Sequence, residues 1–179
     1  MEAVLQIFGE KIELIRYIIL AIALFGAVYQ DIAYFKITNK WNLFVTGTGL
    51  TVALLSGWSF LLSSLSGMLI PFTIGFLLYA FKIFGAGDVK FMMALGALMG
   101  KEWIIDCMIY SILSGGILAI ILMFYRGMLW ERLKYLWSYI IMSCLLKKIT
   151  VYQEFDSQQK QFFPFAVAIA CGSLLACWL

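Results

Sequence analysis

Two acidic residues offer the chemistry in this sequence. Asp31 follows a long apolar run, and Asp88 closes the segment Gly85-Ala86-Gly87-Asp88 just ahead of another. Two aspartates brought together can hydrolyse a peptide bond without histidine or metal. Like charges a few ångströms apart do not both ionise readily, so the pair shares a proton. The ionised member acts as base on a water; the protonated one polarises the carbonyl and later assists the leaving amine. Gly85 and Gly87 leave the backbone before Asp88 with almost no side-chain cover, which lets another chain approach closely. Plainer roles exist for both acids. Asp31, expected directly after a helix C-terminus, could be a solvated boundary residue, although the negative end of a helix disfavours a carboxylate. Asp88, expected to begin the helix that continues through Val89 and Leu95, could be an N-cap.

The residues that are missing narrow the chemistry further. The chain has no histidine, so the usual zinc sets, Ser-His-Asp triads and Cys-His dyads cannot be built. Its cysteines (Cys107, Cys144, Cys171, Cys177) form no Cys-x-x-Cys pair and read as small buried hydrophobes. No metal and no cofactor is implied. The chain is 64% hydrophobic and 13% charged, with a mean hydropathy of +0.96. Soluble chains average about 45–50% apolar and about 25% charged. A soluble enzyme, a disordered chain and a nucleic-acid binder are excluded, and an all-α polytopic membrane protein is expected.

The elements that must position the two acids are apolar runs at Leu14–Tyr29, Trp41–Trp58, Phe60–Phe81, Val89–Met99, Trp103–Tyr125 and Phe162–Leu179. At about 20 residues per crossing they predict about six transmembrane helices, the short fourth one included. The first run is preceded by Glu10 and Glu13 and followed by no A-x-A-like site, so it does not read as a cleavable signal peptide. Ala86 to Gly100 would make about 22 Å of helix, less than the bilayer core, which predicts local thinning or a helix start below the interface. Residues 126–161 form a polar loop. Its apolar piece, 133–146, is flanked by Arg132, Lys134, Lys147 and Lys148 and fits an interfacial helix better than a seventh span. Six spans place Lys11, Arg16 and Lys101 on one side and the other ten of the thirteen cations on the other. The positive-inside rule then puts both termini outside, and Asp31, Asp88 and the 126–161 loop in the cytoplasm. One membrane-embedded domain, 1–179, is expected.

The segment Phe84-Gly85-Ala86-Gly87-Asp88-Val89-Lys90-Phe91-Met92-Met93-Ala94-Leu95-Gly96 resembles the second catalytic motif of type IV prepilin peptidases, membrane aspartic proteases of the G-x-G-D class. Asp31 with Lys36-Ile37-Thr38-Asn39 resembles their first motif, with Thr38 in place of a proline, and Phe163-Pro164-Phe165-Ala166 resembles the opening of their last helix. The resemblance implies Asp31 and Asp88 as the catalytic pair. It places Gly85, Gly87, Lys90 and Pro164 around the substrate, with Lys90 off the face of Asp88. The implied substrates are prepilin or pseudopilin precursors, cut after the Gly that ends a basic leader, at the cytoplasmic face of the cell membrane. Larger members also methylate the new N-terminus and carry a tetra-cysteine zinc region. That cysteine pattern is absent here, so a compact peptidase-only form is expected.

Two other readings use the same acids. A presenilin-like protease would cut a helix within the bilayer; Tyr29-Gln30-Asp31 and Pro164-Phe165-Ala166 match that group's motifs loosely. A small transporter or assembly subunit would use Asp31 and Asp88 as a proton or cation site.

Overall fold

The computed structural model describes residues 2–80, 85–125, 127, 130, 134 and 165–178, and every regular element among them is an α-helix. In chain order these are α1 (Glu2–Tyr34), α2 (Asn39–Ser56), α3 (Trp58–Ala80), α4 (Ala86–Met99), α5 (Lys101–Tyr125) and α6 (Phe165–Trp178). Gly9–Tyr34, Trp58–Leu77 and Lys101–Tyr125 are long and apolar enough to cross a membrane. The all-α membrane class expected from composition is thus the class found. The chain divides into two compact units, Met1–Gly115 with Pro164–Leu179, and Gly116–Phe163. Of the second, the end of α5 and residues 127, 130 and 134 are described; the expected interfacial helix at 133–146 otherwise lies outside the described residues.

The first unit is built around α4. Phe91, Ala94, Leu95 and Leu98 are fully buried, packed among Leu20, Ala23 and Ala27 of α1, Val45 of α2, Ile104 and Cys107 of α5, and Ile169 of α6. This accounts for its 14 residues. Protein rather than lipid covers α4, so bilayer thickness does not set its length, and the thinning expected from the sequence is unnecessary. The outward faces of the longer helices carry exposed Ile18, Phe25, Leu69 and Ile112, as lipid-facing surfaces do. Hydroxyls that lipid cannot satisfy bond back to their own helices, Thr46 to the Asn42 carbonyl and Thr73 to that of Leu69.

Between apolar helices in lipid, association depends on close packing of small residues. A Cβ at Gly96 would fall on the Gly67 carbonyl, and one at Gly67 would lie 2.6 Å from the Gly96 carbonyl, so α3 and α4 meet backbone to backbone. Gly96→Ala is expected to destabilise the fold by about 2–3 kcal/mol, as overpacking does. A lowered melting temperature in detergent checks this; an unchanged one would mean the helices part freely. Tight glycine turns separate α2 from α3 and α4 from α5, at Gly57 (φ 105°) and Gly100 (φ 91°). Arg16 ties α1 to the first of these, donating from Nη2 to Ser56 Oγ at 3.3 Å with its guanidinium 3.8 Å over the Phe60 ring. Between α5 and α6, Cys107 Sγ lies 3.3 Å from Ser173 Oγ, and Ser114 Oγ donates to the Ala168 carbonyl.

Candidate active site

The apolar run ends at Tyr29, but α1 continues to Tyr34 and stops where Phe35 takes φ 51° and donates its N–H to the Asp31 carbonyl at 2.9 Å. Asp31 therefore sits inside the last turns of the helix, correcting the expectation that it follows the helix end. The apolar pattern marks where lipid contact stops; backbone hydrogen bonding carries on past it. Asp31 is 7% exposed, which rules out the plain solvated-boundary role. Its Oδ2 accepts the Ala166 N–H at 2.9 Å. The donor belongs to the first turn of α6, where free N–H groups and the positive end of the helix dipole favour an anion. A carboxylate at the unfavourable end of α1 is thus met by the favourable end of α6.

Asp88 reaches the site from the other side. The N-cap of α4 is Gly85 (φ −76°, ψ 143°), and Asp88 is the third residue of the helix, so the N-cap reading of Asp88 is also corrected. Its carboxylate accepts the Gly85 N–H, the reach-back seen in capping boxes. It lies outside the three long spans, half-buried, and burial followed by the nearby charge of Asp31 pushes it from 3.8 up to about 6. The two acids, 57 positions apart in sequence, are close enough for one charge to act on the other.

The remaining predicted positions separate. A Cβ at Gly85 would stand 2.9 Å from Asp88 Oδ2, so this glycine clears room for the carboxylate itself. At Gly87 a Cβ would meet Ile37 at 3.6 Å, an ordinary contact, and the Gly87 carbonyl accepts from Asn42 Nδ2 at 3.3 Å. Lys90 turns away from Asp88 and donates to Asn39 Oδ1 at 3.1 Å. Pro164 lies outside the described residues. Sequence reasoning named Gln30 and Ala166 only within motifs, with no role of their own, and did not name Asn42. Asn42 had one usable signal, its place one helical turn after Asn39 on the same face. Among the described residues no group of three or more His, Cys, Asp or Glu side chains could hold a metal ion.

Gly85→Ala tests the space beside Asp88. The carboxylate can swing aside without disturbing the backbone, so stability should hold while kcat falls about 10- to 100-fold, the penalty of a misplaced reacting group. Unchanged turnover in a peptide-cleavage assay would show that this carboxylate position is unimportant.

No curated protein and no solved structure matches the chain. Residues 18–120, more than half of the chain, match the type IV leader peptidase family. That stretch carries both acids, the glycine segment and the helices that bring them together, and the chain belongs to the type IV leader peptidase family, a family of proteases.

Proposed function

We propose that the protein is a prepilin leader peptidase, an aspartic endopeptidase that cuts prepilin-like or pseudopilin precursors after the Gly ending their leader. What supports this reading is that Asp31 lies close enough for its charge to act on Asp88, with each carboxylate accepting a backbone N–H from a helix start. In this reading the two share one proton, with Asp88 as the acid and Asp31 as the base. Asp31 takes a proton from water as the hydroxyl oxygen bonds to the glycine carbonyl carbon, and Asp88 gives its proton to the carbonyl oxygen. The diol then collapses. Its hydroxyl proton returns to Asp88, the proton on Asp31 passes to the departing nitrogen, and the C–N bond breaks. The products are a leader ending in a glycine carboxylate and a mature chain with a free amine.

The distribution of cations supports a site at the cytoplasmic face of the cell membrane, with both termini outside. That is the side on which a basic leader would be presented. Co-expression with a precursor bearing a Gly-terminated basic leader, scored by mass, tests the reading. A product cut after that Gly supports it, and cleavage within the apolar helix would point to presenilin-like proteolysis instead.

A further inference from the structure

We propose that Gln30, Thr38 and the first turn of α2 form a hydrogen-bonded bracket that positions Asp31 relative to Asp88. This rests on the catalytic pair proposed above. At the α1 end, Gln30 Oε1 accepts two bonds from Thr38, one from its N–H at 3.0 Å and one from its Oγ1 at 2.8 Å. Gln30 is the chain neighbour of Asp31, so a displacement of this turn carries both. Thr38 is also the N-cap of α2, its Oγ1 accepting from the Trp41 N–H at 3.4 Å. One hydroxyl therefore fixes the end of α1 to the start of α2.

From that start, two side chains one turn apart reach the first turn of α4 on either side of Asp88. Asn39 Oδ1 accepts from Lys90 Nζ, and Asn42 Nδ2 donates to the Gly87 carbonyl. Asn42 is 5% exposed and its Oδ1 has no hydrogen-bond partner among the described residues, while Nδ2 donates to the Gly87 carbonyl; reversing the amide would set oxygen against oxygen. The linkage runs from Asp31 through Gln30, Thr38, Asn39 and Asn42 to Gly87 and Lys90, which flank Asp88. None of these side chains is assigned a chemical step; they are positioning residues. Lys90 thereby gains a role that needs no contact with substrate.

Thr38 is the informative position. Its φ of −72° is one a proline adopts without strain, yet proline supplies neither an N–H nor a hydroxyl. Thr38→Pro thus removes both donors to Gln30 while leaving the backbone angle in place. Cleavage kinetics on a Gly-leader precursor are measured for wild type, Gln30→Met, Thr38→Pro, Thr38→Ser and the Gln30→Met/Thr38→Pro double variant. Gln30→Met should lower kcat about tenfold, with KM and melting temperature unchanged. Thr38→Ser should stay within about twofold of wild type, and Gln30→Met should cost nothing further in the Thr38→Pro background. Amide exchange at residues 85–91 should also rise in Gln30→Met, a readout that needs no substrate. The bracket is overturned if Gln30→Met leaves kcat and that exchange unchanged, or costs the same in both backgrounds. Asp31→Asn and Asp88→Asn run alongside. If they still cleave, the catalytic pair fails; if they are dead while Gln30→Met is fully active, the bracket alone fails.

Discussion

Asp31→Asn and Asp88→Asn are each expected to lower leader cleavage by about 10³-fold at unchanged membrane abundance, the scale of losing a general acid or base. Asparagine suits the test because each carboxylate also has a structural bond to keep. In Asp31→Asn the new amide oxygen can still accept the Ala166 N–H, which holds the start of α6 in place. In Asp88→Asn the amide oxygen can do the same for the Gly85 N–H. What disappears is the ability to take up and release a proton. Because the pair acts as a unit, the double variant should be little worse than either single one. Initial rates on a precursor with a Gly-terminated leader, normalised to enzyme in the membrane, check this. Retention of about a tenth of wild-type activity by either variant would remove that aspartate from the mechanism.

The acids are legible in the sequence because their types and surroundings are unusual. A chain with no histidine and few carboxylates offers little else for hydrolysis, and Gly-Ala-Gly-Asp at the head of an apolar run is visible at a glance. The partners of those acids are harder to see. Ala166 acts through its backbone N–H, which any residue but proline possesses, so its identity carries no signal. The end of α1 escapes a hydropathy reading because hydropathy reports contact with lipid, whereas the helix runs on to Tyr34 and stops at Phe35. Ala86 and Gly87 look like turn residues, which puts Asp88 at the N-cap. With Gly85 extended they are helical, and the aspartate is carried into the first turn. The shortness of α4 points to lipid, but burial on every face, Met92 and Ala97 as well as Phe91 and Leu95, shows which solvent that helix has. Hydropathy cannot distinguish an apolar helix facing lipid from one facing other helices.

Activity is expected to fall as pH rises past about 6, by about tenfold in kcat/KM per unit, because the form with a proton on Asp88 is then lost. Burial and the charge of Asp31 hold this carboxyl up at about 6, against the Gly85 N–H, which stabilises the anion. The pair titrates as a unit, so the observed value belongs to both acids. The same shift fixes a sign for stability. Between the ordinary carboxyl value of 3.8 and about 6, the folded protein binds this proton and the unfolded chain does not. Stability from this group is therefore fully present below 3.8 and declines as pH rises through about 6, after which it is flat. Asp88→Asn removes the decline. At about pH 7.5 that variant should be more stable than wild type by about 2 kcal/mol, discounted for the half-buried position, and the gain should vanish near about pH 4. Melting curves at the two pH values separate the causes. An alkaline loss of activity without the pH-dependent gain in Asp88→Asn would assign the titration to another group. With both present, the residue that carries the proton for catalysis also destabilises the folded protein at neutral pH, as expected of a carboxylate kept half-buried beside another for its chemistry.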